Sequence, residues 1–221
     1  VIFSSVMAQY LDAVQAAQRP PMLVDFVDVD SAKWTQYAAN HKWPMSWLYR
    51  REGERLLACE RAIAARAQRS FFVTDNETAL FQNMAPECVQ RVETMSNGVD
   101  ADFFSPDSSR ASPFADRASD PPQFPLVFTG AMDYWPNIDA VTWFVDEILP
   151  KLLLTRPQVR FYIVGRSPPP SVLALASDTV IVTGTVPDVR PYLQHAALVV
   201  APLRVARGIQ NKILEAMAMA C

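Results

Sequence analysis

Short apolar runs alternate with stretches of helical spacing along the chain, which predicts alternating strands and helices. In the first half the apolar runs predict three strands, at 22–28, 71–74 and 92–96. Helical spacing extends from about Ser31 to Arg69, with an interruption at Pro44, and returns at 76–83.

The second half repeats the alternation more regularly. Apolar runs predict four strands, at 125–130, 160–165, 180–184 and 197–203. Helical spacing after each run predicts four helices, at about 137–154, 170–177, 188–195 and 208–220. Between the halves, residues 101–124 hold four prolines, five serines and no sustained period, which is typical of a linker.

This order of elements predicts an α/β fold with two parallel sheets covered by helices. We expect an incomplete first domain at 1–104, a linker at 105–124 and an incomplete second domain at 125–221. Both ends look cut, because Val1 follows no initiator methionine and Cys221 falls within a predicted helix. The chain is therefore expected to be the middle portion of a longer protein.

Glycine placement points to the carboxyl ends of the strands in the second domain. Four of the six glycines follow predicted strands, at Gly130, Gly165, Gly184 and Gly208. Ligands of parallel α/β sheets bind at that edge, and glycine lets the backbone approach them closely. Tight turns alone would explain each glycine equally well, so both interpretations stay open.

Composition restricts the class of protein. Half of the 221 residues are hydrophobic and 19% are charged, which is typical of a globular protein. The sequence shows neither a run of eighteen apolar residues nor a basic and apolar leader, so we expect a cytoplasmic location. Three widely spaced cysteines and two histidines argue against a disulfide framework and a zinc site, so we expect no metal and no cofactor.

The net charge of −3 is unevenly distributed. Residues 151–221 contain eight Lys or Arg against three Asp or Glu, a balance of +5, so residues 1–150 carry −8. A basic third in an acidic protein favours a small ligand that carries phosphate. Nucleic acid needs a broader basic field, so no nucleic-acid partner is expected.

The junction between the last strand and the last helix carries the most specific chemistry. Gly208 is predicted to open the helix, so that positions 208, 211 and 215 share one face with Lys212 beside them. A helix N-terminus presents unpaired N–H groups and a partial positive charge, which suit a diphosphate. Glu215, two turns into the helix, suits sugar hydroxyls.

This stretch, Gly208 to Ala218, resembles the donor-binding segment of glycosyltransferase family 4, the nucleotide-sugar-dependent retaining transferases of the GT-B fold. Many members carry a glutamate eight positions before the helix glutamate, where this chain has Arg207. The stretch Asn97 to Phe104 resembles the family signature that leads out of the first domain, and Asn97-Gly98 is expected to form a left-handed turn there. The segment around Met132 is similar to an offshoot, the bacterial exopolysaccharide sugar transferases associated with exosortase systems.

The resemblance implies transfer of a sugar from a nucleoside-diphosphate sugar to a hydroxyl acceptor, a glycan or a lipid-linked molecule, in exopolysaccharide assembly. It also implies retention of configuration without a metal. The donor-binding residues it implies lie in the second domain, at Gly130, Met132, Asn137, Arg166, Gly184, Val186, Arg204, Arg207, Gly208, Ile209, Gln210, Asn211, Lys212 and Glu215. Backbone groups near Val186 would pair with the nucleobase, while Asp188 is expected to cap the following helix.

Asp28 and Asp30 are the candidate catalytic residues, and their role stays open. In the GT-B interpretation they end a strand of the first domain on the acceptor side. In a haloacid-dehalogenase-like phosphatase the first aspartate of such a pair is a nucleophile. A third alternative is a module that binds nucleotides without catalysis.

Aromatic residues beside basic ones form a further candidate surface in the first domain. Trp34, Trp43, Trp47 and Tyr49 lie close in sequence to Arg50 and Arg51. Such a group suits peripheral contact with the inner face of a membrane or with a lipid-linked acceptor. The alternative is that these aromatic side chains pack in a core, which is the commoner arrangement.

Overall fold

The structure is a computed structural model that describes residues 1–13, 20–114, 122–205 and 208–220. The chain packs as two compact units, whose main segments are Val1–Asn97 and Gly98–Ala206 with Gln210–Cys221. Each unit contains a four-stranded parallel sheet. The division follows Asn97, whereas the sequence analysis places the boundary at 104.

The first unit has its strands side by side in chain order: β1 (Ile2–Phe3), β2 (Leu23–Val27), β3 (Arg69–Phe72) and β4 (Val92–Thr94). Its helices are α1 (Asp30–Ala39), α2 (Met45–Arg66) and α3 (Asp75–Met84), with 3-10 helices at Ser5–Ala13 and Pro86–Arg91. The predicted strands and the helix break at Pro44 are therefore confirmed to within a few residues.

Three stacked phenylalanines form the centre of the first core. The ring centroids of Phe26 and Phe72 are 5.2 Å apart, and Phe81 lies 5.8 Å and 4.8 Å from them. All three side chains are at least 98% buried. Because Phe26 and Phe72 lie at alternate, buried positions of their strands while Phe81 belongs to α3, this contact fixes the helix against the sheet.

The second unit has the strand order β7-β6-β5-β8, with β5 (Phe124–Thr129), β6 (Val159–Val164), β7 (Val180–Gly184) and β8 (Leu198–Val199). Its helices are α4 (Trp135–Trp143), α5 (Leu149–Thr155), α6 (Pro170–Leu173), α7 (Arg190–His195) and α8 (Asn211–Ala218). A π-helical turn at Phe144–Ile148 joins α4 to α5, where the sequence predicts one continuous helix.

The strand order gives the second sheet a topological switch point. The chain passes from β5 to β6 on one side and later returns to β8 on the opposite side of β5. Connections that diverge in this way leave a crevice outside the carboxyl ends of the two strands between which the order reverses, here β5 and β8. The structure thus places the expected ligand edge at the ends of β5 and β8.

Two predicted local conformations are wrong. Helix α8 begins at Asn211, and Gly208 precedes it in a left-handed conformation with φ +64°, so Gly208 does not share a helix face with Glu215. Asn97 and Gly98 have no positive φ, and the nearby turn is made by Asp100. The Asp100 carboxylate accepts a hydrogen bond from the backbone N–H of Phe103 at 2.9 Å, because an aspartate can bond its own following backbone.

Part of the predicted linker is packed against the second unit. Phe114 is 5% exposed, and its ring centroid lies 4.7 Å from Tyr162 and 5.8 Å from Tyr192. The backbone of Asp107 exchanges two hydrogen bonds with the side chain of Gln194, at 3.1 and 2.7 Å. Residues 105–114 therefore belong to the fold, while residues 115–121 lie outside the described residues.

Close backbone contact between β5 and β6 requires glycine at position 165. A Cβ atom on Gly165 would lie 1.7 Å from the carbonyl oxygen of Gly130. Only an α-carbon without a side chain permits the ends of these two strands to approach so closely. The contact holds together the edge at which the crevice opens.

We predict that Gly165→Ala lowers the free energy of unfolding by about 3 kcal/mol or more, because backbone must move to admit the methyl group. Gly98→Ala is the matched control, since a Cβ there meets no atom within 4 Å. Urea denaturation of both variants measures the effect. Equal stability of the two variants would show that the β5–β6 contact tolerates a side chain.

Candidate functional site

Hydrogen bonds extend beyond the strands at the carboxyl edge of the second sheet. Gly130 donates its N–H to the carbonyl of Val164 at 3.0 Å, and Met132 donates to that of Arg166 at 2.8 Å. Gly165 donates to the carbonyl of Gly184 at 3.2 Å. The loops after β5, β6 and β7 are thus held in register, which gives the edge a defined shape.

Lys212, in the first turn of α8, reaches the end of β5. Its Nζ donates to Asn137 Oδ1 at 2.8 Å and lies 4.1 Å from the ring centroid of Phe128. Nζ would lie 3.1 Å from a Cβ placed on Gly130. The ammonium group is therefore held over an aromatic ring, beside the bare backbone of the strand end.

Asn137 connects that lysine to the loop after β5. The side chain is 6% exposed, and its Nδ2 donates to the carbonyl of Ala131 at 2.8 Å while its Oδ1 accepts from Lys212. One amide thus satisfies a loop carbonyl and a lysine at once. Asn137 fixes the position of the Lys212 ammonium relative to the loop.

A half-buried cation dominates the electrostatics of this edge. Burial lowers the pKa of Lys212 to about 8, although the charge of Glu215 acts in the opposite direction. Burial also raises the pKa of Glu215, and the charge of Lys212 partly offsets that rise. Within the part of the chain that the structure describes, Lys212 forms no ion pair. An anion at this position would compensate the desolvated charge.

Two of the expected donor-binding residues have side chains that contact other parts of the second unit. The guanidinium of Arg204 forms a two-pronged ion pair with Asp139 of α4 and lies 5.7 Å from the ring centroid of Trp143. Its charge is therefore neutralised by a carboxylate. Met132 is fully buried in the hydrophobic core, so its side chain does not line an open site.

Gly184, Val186 and Arg166 also lie at the carboxyl edge of the second sheet. Gly184 has a left-handed conformation with φ +68°, and Val186 packs its half-buried side chain on the cluster around Tyr162. Arg166 has an exposed side chain, and its carbonyl accepts the loop bond from Met132.

The other expected residues of the second unit lie just before or at the start of α8 and just before α7. Ile209 is half-buried, Gln210 directly precedes the helix, and Asn211 is its exposed first residue. Arg207 lies outside the described residues. The Asp188 carboxylate accepts a hydrogen bond from the backbone N–H of Arg190 at 2.9 Å. Asp188 therefore caps α7, although Val189 and not Asp188 occupies the N-cap position.

The candidate carboxylates of the first unit lie at the carboxyl end of β2. Val27, the last residue of that strand, has φ +71°, a conformation that strains a β-branched residue. Lys33 binds Asp28 Oδ2 at 2.9 Å and Asp30 Oδ1 at 3.0 Å. Burial lowers the pKa of Lys33, but the hydrogen bond to Asp28 and the charge of Asp30 outweigh it and raise that pKa above its usual range.

The sequence analysis missed two buried glutamates that hold this loop. Glu60 of α2 accepts from the backbone N–H of Ser31 at 3.1 Å and from its hydroxyl at 2.6 Å. Glu77 of α3 accepts from the N–H of Val29 at 2.7 Å. Both carboxylates satisfy N–H groups at the start of α1, which no side chain of the preceding residue caps.

Burial raises the pKa of Glu60 to about 7, despite hydrogen bonds from Ser31 that lower it. The side chain is fully buried. The available sequence signal was a glutamate within the apolar run Leu56 to Ala65, at a position where the helix faces the core.

The described residues contain neither a cluster of metal-binding side chains nor a helix that could span a membrane. No group of three or more His, Cys, Asp or Glu side chains lies close enough together to hold a metal ion. No described helix combines the length and the apolar character that a membrane span requires.

The fold and the edge define an α/β protein of the GT-B type, and comparison with solved structures agrees. Anabaena HepE in complex with UDP-glucose superposes with a TM-score of 0.68 at 15% identity, covering 99% of this chain and 57% of that one. WaaG, a glycosyltransferase involved in lipopolysaccharide biosynthesis, gives 0.62 at 20% identity, with 97% and 60% covered. The chain therefore spans somewhat more than half the length of these structures.

Residues 123–221 match the family model described as Glycosyl transferases group 1. The match begins just before β5 and so includes Asn137, Lys212 and Glu215. No curated protein matches the chain. The sequence similarity to glycosyl transferases therefore lies in the second unit. The first unit resembles the solved structures in its fold.

The Glu60 carboxylate predicts a pH dependence of stability. Its pKa is raised on folding, so its stabilising contribution is complete below about pH 4.5 and is lost as the pH rises through about 7. The loss amounts to about 1.4 kcal/mol per pH unit within that window. Glu60→Gln keeps an acceptor for Ser31 but does not titrate.

Urea denaturation at about pH 5 and about pH 7.5 measures this contribution. We expect the stability of wild type relative to Glu60→Gln to fall between these two pH values. Glu54→Gln, at an exposed position of the same helix, should keep the wild-type pH profile. A constant difference between wild type and Glu60→Gln would contradict the assignment.

Proposed function

We propose that the chain is part of a glycosyltransferase that uses a nucleoside-diphosphate sugar, with the donor diphosphate bound at the carboxyl edge of β5 and β8. The observation that carries this proposal is the half-buried Lys212 ammonium, which lies beside the backbone of Gly130 and forms no ion pair among the described residues. The family match of residues 123–221 and the UDP-glucose complex of HepE, which has the same fold, support it.

The proposed chemistry follows from charge. Breaking the bond between the anomeric carbon and the diphosphate oxygen leaves negative charge on the departing diphosphate. Lys212 and the partial positive charge at the start of α8 would stabilise that charge, so that the protein rather than solvent compensates it. Asn137 would position the lysine, a role different from the direct donor contact that the sequence suggests.

Recognition of the rest of the donor is assigned to flanking groups. Glu215 lies one turn after Lys212 on α8, so its carboxylate is placed to accept hydrogen bonds from ribose hydroxyls. Backbone groups near Val186 are proposed to meet the nucleobase. Arg204 is left out of the phosphate site because its charge is paired with Asp139.

The finer features of the activity are also proposals. The resemblance to family 4 supports retention of configuration and independence from metal, and the resemblance to exosortase-associated transferases supports a role in exopolysaccharide assembly at a cytoplasmic location. Asp28 and Asp30 are proposed to serve a glycan or lipid-linked acceptor through the first unit. No observation on the described residues favours the phosphatase alternative, because the family match belongs to glycosyl transferases.

Substitution of Lys212 tests the diphosphate site. We expect Lys212→Ala to weaken UDP binding about tenfold to hundredfold, the effect of losing one charged hydrogen bond, while uridine binding changes little. Wild-type affinity for UDP should fall between about pH 7 and pH 9.5, because Lys212 loses its proton near pH 8. Calorimetric titration measures both effects.

The control is Lys151→Ala, which removes an exposed lysine from α5 and should leave UDP binding unchanged. An equal loss of UDP and uridine affinity in Lys212→Ala would contradict the phosphate role. Binding of UDP with no sugar transfer by the longer protein would instead favour the module without catalysis.

A further inference from the structure

Two tryptophans are exposed where α1 turns into α2. Trp43 is 81% exposed and Trp47 is 59% exposed, and Met45 and Leu48 beside them are 39% and 38% exposed. We refer to residues 41–51 as the aromatic tip. Single exposed apolar residues are ordinary on a protein surface, but here four of them lie within six positions of the chain.

Three further aromatic rings pack against one another between α1 and α2, next to these exposed side chains. Trp34 of α1 lies 5.4 Å from Tyr49 of α2, measured between ring centroids, and Tyr37 lies 6.2 Å from the same ring. The sequence left open whether these aromatics form a core or a surface. The structure divides them, because Trp34 and Tyr49 are half-buried in the helix contact while Trp43 and Trp47 point to solvent.

The charge around the tip is positive in an acidic chain. Residues 41–51 contain three Lys or Arg and no Asp or Glu, although the whole protein carries −3. Lys42 and Arg50 are exposed beside the two tryptophans, whereas Arg51 is paired with Glu52 at 2.9 Å. The exposed cations thus flank the exposed apolar side chains.

We propose that the aromatic tip docks the protein on the surface of a bilayer that contains anionic lipids. Tryptophan favours the boundary between lipid headgroups and acyl chains, and adjacent lysine and arginine are attracted to anionic headgroups. Nucleic acid would leave the apolar side chains Met45 and Leu48 without a role. Association with a second copy would bring the exposed cations of two tips together.

The same hairpin joins this surface to the candidate acceptor side. Helix α1 starts at Asp30 and ends two residues before the tip, so its ten residues span about 15 Å. Docking through the tip would present a lipid-linked hydroxyl acceptor to the end of the sheet that carries Asp28 and Asp30. This last step rests on the proposed function, whereas bilayer docking itself does not.

Vesicle sedimentation tests the proposal on the intact protein. The vesicles are phosphatidylcholine alone and phosphatidylcholine with about 30 mol% phosphatidylglycerol, at low and high salt. Wild type should partition to the anionic vesicles at least about tenfold more strongly than to the neutral ones, with a blue shift of its tryptophan emission. High salt should weaken that partitioning.

Two double variants separate the contributions of apolar and charged groups. Trp43→Ala with Trp47→Ala should lose at least about tenfold in partitioning, and Lys42→Glu with Arg50→Glu should lose the preference for anionic vesicles. The matched controls are Leu154→Ala, 85% exposed in the second unit, and Lys151→Glu, and both should bind vesicles as wild type does. All variants should retain UDP binding and the wild-type unfolding transition.

Three results would overturn the proposal. The first is no partitioning of wild type to either vesicle. The second is unchanged partitioning of the double tryptophan variant. The third is a wild-type dimer that this variant converts to a monomer without any lipid binding, which would make the tip a contact between copies. Because UDP binding is measured separately, failure of docking and failure of the proposed function remain distinguishable.

Discussion

A half-buried lysine ammonium that forms no ion pair with the described residues is the constraint on which the candidate site depends. Desolvation of a charge is unfavourable, and Lys212 recovers only part of that cost from the Asn137 amide and the Phe128 ring. The surrounding backbone explains how this arrangement is possible. The contact between Gly130 and Gly165 holds the strand ends together and leaves Lys212 beside bare backbone, so the edge favours an incoming anion.

In both units charged side chains lie at the carboxyl ends of the strands, but the charges that we single out there have opposite signs. In the second, the strand ends meet a cation and the start of a helix. In the first, Asp28 and Asp30 follow β2, and the adjoining helix start is satisfied by the buried carboxylates of Glu60 and Glu77. Because these glutamates fill the first helix terminus, it cannot serve as an anion site in the way proposed for α8.

The sequence predicted the strands and their order in the chain well, since parallel strands buried on both faces are nearly continuous apolar runs. It also placed Lys212 and Asn137 near the carboxyl edge of the second sheet. It could not show contacts that depend on tertiary packing: the pairing of Arg204 with Asp139 spans 65 residues, and the burial of Met132 depends on its surroundings in the core. The backbone conformations of Asn97-Gly98 and of Gly208 were also misassigned, because a turn dipeptide and a helix start can each adopt several backbone conformations.

Glu60 shows a different limit of sequence analysis. An acidic residue on an apolar helix face signals an unusual environment, but its partner Ser31 lies 29 residues away on another helix. Only the fold reveals that the two meet. The same holds for the aromatic residues of the first unit, where Trp34 is half-buried while Trp43 and Trp47 of the aromatic tip are exposed.

Direct titration of the Lys212 side chain by NMR, in protein with isotope-labelled lysine, tests the central claim most closely. Lys212→Arg identifies the signal. The account predicts a pKa of about 8 in the free protein and a marked rise when UDP is bound, because the diphosphate compensates the buried charge. Saturating UDP binding that leaves the pKa of Lys212 unchanged would show that the diphosphate binds elsewhere.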